Sequence, residues 1–72
     1  MDTMTDKQAV LAHLETHGSI TPKEALERYG IMRLGARIFD LRMDGHNIES
    51  QPVGFKARSG RTGHYVRYVL RE

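Results

Sequence analysis

Arg33 and Arg37 stand four residues apart, and farther along Lys56, Arg58 and Arg61 lie in a glycine-rich stretch that contains no acid. Of all the side chains in this sequence, these are the ones best suited to chemistry, and the chemistry is recognition of anions. A guanidinium fork grips phosphate oxygens, or O6 and N7 of guanine, through paired hydrogen bonds, which an ammonium cannot do. Residues four apart on a helix share a face, so both arginines can reach one groove or one pair of phosphates. The free amides of a helix N-terminus add to the attraction. Asp40 and Asp44 fall on the same stripe and admit two readings: they hold the arginines in place for reading a groove, or they mark the stripe as a solvated ion-pair face.

The charge along the chain points the same way. Residues 1–32 carry three bases (Lys7, Lys23, Arg28) against five acids, a balance of −2, whereas residues 33–72 carry eight bases against four acids, a balance of +4. Seven of those eight bases are arginine, so a polyanion is the partner class the second half suits.

Other constellations are weaker. His13 and His17 are one turn apart, but the order His-Leu-Glu-Thr-His fails the zinc-protease pattern His-Glu-x-x-His, and no third ligand follows. They are read as half-exposed helix histidines, with no metal. His46 and His64 flank the two ends of a hairpin, where a meeting across the strands would make a pH-sensitive pair. Phe55, Tyr65 and Tyr68 near the basic stretch resemble base-stacking residues, although strand alternation requires at least one tyrosine to be buried. No glycine-rich phosphate cradle precedes a helix, and no Ser nucleophile has an identifiable base. Neither an enzyme nor a cofactor is expected.

At 72 residues and 8.2 kDa, with neither Cys nor Trp, the chain is expected to form one domain, residues 1–72, whose core supplies only about 3 to 5 kcal/mol. A doubly wound nucleotide-binding sheet is too large for it, and it has neither disulfides nor a thiolate zinc site. The first twenty residues contain no apolar run longer than Ala9-Val10-Leu11-Ala12, so a soluble, cytoplasmic protein without membrane contact is expected.

The candidate residues need elements to hold them. Thr5-Asp6-Lys7-Gln8 has the form of a capping box and opens a helix over about 5–17, which Gly18 ends; Val10, Leu11 and Leu14 share its apolar face. Thr21-Pro22-Lys23-Glu24 combines a Thr cap, a Pro at the first helical position and a Glu three residues after the cap. It starts a short helix over about 21–29 whose buried face is Ala25, Leu26 and Tyr29. After Gly30-Ile31-Met32 a third helix spans about 33–44, with Leu34, Ile38 and Leu41 in one narrow sector. Phe39 and Met43 form a second apolar strip that either packs beneath the following hairpin or faces a partner. Gly35 inside this helix costs about 1 kcal/mol relative to Ala, which close approach of another helix or of a partner would explain. Period-two alternation in His46–Ser50 and Tyr65–Arg71 then marks two strands of a hairpin over about 46–71 with a flexible, cationic tip.

This order resembles that of winged helix-turn-helix domains, an α+β fold of three helices followed by a two-stranded antiparallel wing. The resemblance rests on Ser19-Ile20-Thr21-Pro22-Lys23-Glu24-Ala25-Leu26 and on Ile38-Phe39-Asp40-Leu41-Arg42-Met43-Asp44-Gly45-His46-Asn47-Ile48. It covers residues 5–71 and is similar to small winged-helix proteins of bacteriophages and prophages. It implies sequence-specific binding of double-stranded DNA, as a transcriptional regulator or as an architectural factor for recombination, in the cytoplasm of a bacterial or phage-infected cell. Carried across by position, Arg33, Ala36, Arg37 and Asp40 would face base edges, and Lys56, Arg58 and Arg61 would touch phosphates or the minor groove. The sequence departs from the pattern at Met32 and Arg33, where a Ser or Thr commonly caps the recognition helix. A single such domain touches a short half-site, so a homodimer or a larger protein partner is the expected route to useful affinity. The alternative is a protein-binding winged helix, such as a phage-encoded inhibitor of a host protein.

Overall fold

A computed structural model of the chain describes residues 4–72; the first three positions of the expected 1–72 domain lie outside the described residues. Its elements run α1 (Asp6–His17), β1 (Ser19–Ile20), α2 (Pro22–Tyr29), α3 (Leu34–Met43), β2 (Ile48–Lys56) and β3 (Thr62–Leu70). The three helices and the hairpin stand where the sequence pattern puts them. β1 is the addition.

Both capping boxes form. The Thr5 hydroxyl accepts from the amide of Gln8 while the Gln8 side chain accepts from the amide of Thr5, and Thr21 and Glu24 make the same exchange at α2. Each exchange satisfies donors that a helix start leaves without intrahelical partners. Gly18 and Gly30 end α1 and α2 at φ of 83° and 67°, a left-handed conformation in which glycine pays no Cβ penalty.

The core gathers Val10 and Leu14 from α1, Ile20 from β1, Ala25 from α2, Ile31 from the connection, Leu34, Ile38 and Leu41 from α3, and Ile48 from β2. β3 is the central strand of a three-stranded antiparallel sheet in the order β1-β3-β2. Ser19 pairs with Val69 and Ile20 with Tyr68, and the amide of Leu70 donates to the carbonyl of Gly18. This two-residue strand clamps the root of the hairpin to the end of α1. It is too short to show alternation, which is why sequence periodicity does not reveal it. Beyond the root the hairpin runs on in register from Ile48 opposite Leu70 to Lys56 opposite Thr62, and it accounts for the long axis of a molecule measuring 44 × 27 × 20 Å.

Three expectations need correction, and one possibility, the His46–His64 meeting, is decided against. Leu26 and Tyr29 do not join Ala25 in the core but are exposed, and Ala25 is the residue of α2 that is buried. His13 is not half-exposed; it is 2% exposed, inside the angle between α1 and α2. His46 and His64 do not meet, since His64 lies opposite Gly54 far up the hairpin while His46 Nδ1 is 2.9 Å from Glu72 Oε1. Phe39 and Met43 do not pack beneath the wing. They are 62% and 72% exposed, because Leu34, Ile38 and Leu41 already occupy the inward side of α3.

Candidate nucleic-acid interface

α3 is attached to the fold on three sides, and those attachments decide what it shows to solvent. Its inward sector is the core triad. One flank faces the hairpin root: the Arg42 guanidinium donates to the Ile48 carbonyl at 2.8 and 3.1 Å and to the Ser50 hydroxyl at 2.9 Å. A Cβ built on Gly35 would lie 3.7 Å from the Tyr68 hydroxyl, an ordinary contact. The other flank faces α1, where Lys7 Nζ lies 2.7 Å from Asp44 Oδ2. That bond raises the pKa of Lys7 and lowers that of Asp44.

The remaining side of α3 is open. At about 100° per residue, Ala36, Phe39 and Met43 fall opposite the core triad, and Met32, just ahead of the helix, is 85% exposed. The outward row is therefore apolar. The inward sector Leu34, Ile38 and Leu41 was legible from helical spacing, but the exposure of the second apolar strip was not.

The candidate anion-binding residues are distributed around this row. Arg33 occupies the N-cap position of α3 with no side-chain cap bond and is exposed, in keeping with the missing Ser or Thr. Arg37 is half-buried, its Nε 3.2 Å from Asp40 Oδ2 and without a well-aligned hydrogen bond. Arg37 and Asp40 are thus brought together as a pair on the flank, and Ala36 sits half-buried beside them. Lys56 ends β2 opposite Thr62. Past it the turn closes through Ala57 N–H to the Arg61 carbonyl at 2.7 Å and Gly60 N–H to the Ala57 carbonyl at 3.0 Å, leaving Arg58 and Arg61 exposed at the tip. The hairpin meets α3 at its root, through Tyr68 and Arg42, and the tip stands away from the helix.

The acids of the second half are all engaged: Asp40 by Arg37, Asp44 by Lys7, Glu49 by Arg71 at 2.6 Å and Glu72 by His46 at 2.9 Å. Among the described residues Arg33, Lys56, Arg58 and Arg61 take part in no ion pair within 4.0 Å. Arg42 and Arg67 are also outside any ion pair but hydrogen-bond to neutral oxygens of Ile48, Ser50 and Gln51. In the second half the cations free of both kinds of partner therefore sit at the start of α3 and at the wing tip, where they can meet an external anion without first breaking an internal bond.

Two further findings bear on the chemistry. Among the described residues no three His, Cys, Asp or Glu side chains converge as a metal site would require, and no helix is long and apolar enough to cross a membrane. Phe55 and Tyr65, with ring centres 6.1 Å apart, border a cavity of about 510 Å³ against Thr21, Pro22 and Lys23; Tyr68, by contrast, is half-buried at the hairpin root.

In comparisons with known proteins, the family model described as "Winged helix-turn-helix domain" matches residues 5–72. No curated protein matches the chain.

Proposed function

The chain belongs to the winged helix-turn-helix domain family, and from that premise we propose that it binds double-stranded DNA in a sequence-specific manner. α3 enters the major groove with Arg33 at its leading end, Ala36, Arg37 and Asp40 approach base edges, and Lys56, Arg58 and Arg61 of the wing rest on phosphates or in the neighbouring minor groove. The single observation that carries this reading is the neutralisation of every acid near α3 while Arg33 and the three wing bases remain unpaired. Such a domain serves as a transcriptional regulator or as an architectural factor for recombination in a bacterial or phage-infected cell. With only Arg33 and the three wing bases free to meet phosphates on this face, a monomer binds weakly, and useful affinity comes from a dimer, tandem sites or a larger partner.

The test is a titration of duplex DNA at two salt concentrations. Affinity should fall steeply as salt rises, and Arg58→Ala should reduce the slope of log affinity against log salt by about one. Absence of binding to any duplex at low salt overturns the proposal. A second reading, docking onto another protein, is favoured by the exposure of Phe39 and Met43, since exposed apolar patches mark interaction surfaces.

A further inference from the structure

The outward row of α3 has a chemical character that narrows what it can read. The helix is Leu34-Gly35-Ala36-Arg37-Ile38-Phe39-Asp40-Leu41-Arg42-Met43, and it contains no Asn, Gln, Ser or Thr. The side chains that read adenine through paired hydrogen bonds are therefore absent from it. The three groups on α3 able to read guanine or cytosine are all engaged within the fold: Arg37 and Asp40 face one another at 3.2 Å, so a base contact by either must first break that pair, and Arg42 is spent on the Ile48 carbonyl and the Ser50 hydroxyl. What is left pointing outward is Met32, Ala36, Phe39 and Met43, three of them more than three-fifths exposed. In the major groove the bases offer one kind of apolar group to such side chains, the methyl on C5 of thymine.

We propose that the row formed by Met32, Ala36, Phe39 and Met43 is a reader of pyrimidine C5 methyl groups, so that the preferred duplex carries thymines where α3 crosses the major groove. The inference rests on the DNA-binding reading and deepens it. Charge complementarity selects this occupant for the apolar face: Arg33 is exposed and unpaired at the head of the row, and the tip of the wing adds three further unpaired cations on the same molecule. Phosphate contacts at those points would hold the helix in register, and the apolar row would discriminate among bases, a division of labour usual in DNA recognition. Burying methyls against Phe39 and Met43 removes apolar surface from water on both sides, which favours thymine over any base that lacks the methyl.

The experiment begins with selection of bound sequences from a pool of random duplexes using the full chain. Thymine should be enriched at the centre of the recovered site. The recovered duplex is then compared with one in which deoxyuridine replaces thymidine at those positions, a change that removes only the C5 methyl. Affinity should fall about tenfold on the uracil duplex. The double variant Phe39→Ala, Met43→Ala, whose side chains are exposed, should keep its far-ultraviolet circular dichroism and lose the difference between the two duplexes. Arg58→Ala should weaken both duplexes alike. Equal binding of thymine and uracil duplexes, with salt dependence retained, overturns the inference and leaves the DNA-binding reading standing. A thymine preference that survives in the double variant also overturns it, because the preference then comes from duplex shape. Failure to bind any duplex at low salt overturns both and assigns the apolar row to a protein partner.

Discussion

The hydroxyl of Tyr29 lies 2.7 Å from Nδ1 of His13, so the last turn of α2 is tied to the middle of α1 by a bond between two side chains whose local patterns predicted something else for each. The imidazole is enclosed between the helices with its side chain fully buried, its Nε2 3.8 Å from Glu24 Oε2 and without a hydrogen-bond partner. The neutral tautomer with its proton on Nε2 presents that N–H to the Glu24 carboxylate and leaves Nδ1 to accept from Tyr29. Glu24 also completes the capping box of α2, so His13, Tyr29 and Glu24 together set the angle between α1 and α2.

Stability should fall with acid because of this histidine. Burial lowers the pKa of His13 below its ordinary value of 6.5; Glu24 opposes the shift, and His17 and Arg28 reinforce it. A group whose pKa is depressed in the folded state contributes stability that is complete above its unfolded pKa and is lost as pH falls through the folded one. Urea midpoints measured from pH 8 to pH 5 should therefore decline below about 6.5 in the native protein. In His13→Gln the decline should be smaller. A midpoint that rises on acidification would contradict the assignment.

Removing the Tyr29 hydroxyl should cost about 1 kcal/mol, the usual net value of a hydrogen bond of this kind. Tyr29→Phe leaves the exposed ring in place and deprives Nδ1 of its partner. The loss should be visible in urea denaturation at pH 7.5, where His13 is neutral.

Gly35→Ala should stabilise the fold by about 0.8 to 1 kcal/mol. The glycine has an ordinary helical φ, and an added Cβ meets only the Tyr68 hydroxyl, at 3.7 Å. No internal close approach accounts for the glycine. If the duplex backbone approaches this flank, the same substitution should weaken DNA binding while raising the melting temperature, and the two measurements separate the effects.

Thr21→Ala should destabilise α2 by about 1 kcal/mol, because it removes the oxygen that accepts from the Glu24 amide at 3.2 Å. Amide exchange should quicken first in the opening turn of α2, with α1 little changed.

Arg42→Met should loosen the hairpin from α3. The substitution keeps much of the apolar stem but loses both bonds to the Ile48 carbonyl and the one to Ser50. A cost of about 1 kcal/mol is expected for so exposed a group, with faster amide exchange concentrated in β2.

The order of the three helices and the hairpin, and the limits of α1 and α2, are legible in local residue pattern alone. Thr5 with Gln8, Thr21 with Pro22 and Glu24, and the terminal Gly18 and Gly30 act through bonds that span three or four residues, so their meaning is local and can be read in one dimension. The sequence also determined which apolar residues of α3 share a sector, since that depends only on helical pitch. Packing of the whole domain decided that the second strip of α3 stays outside. Leu34, Ile38 and Leu41 face inward because Val10 and Leu14 of α1 lie there to receive them; that leaves Phe39 and Met43 outside, and the strip they form carries no mark distinguishing it from a core strip. The same holds for His13, buried because α2 folds back over α1, and for Ser19–Ile20, a strand only because β3 passes beside it. Contacts between residues distant in sequence depend on the angle at which elements meet, and that angle is set by the packing of the whole domain.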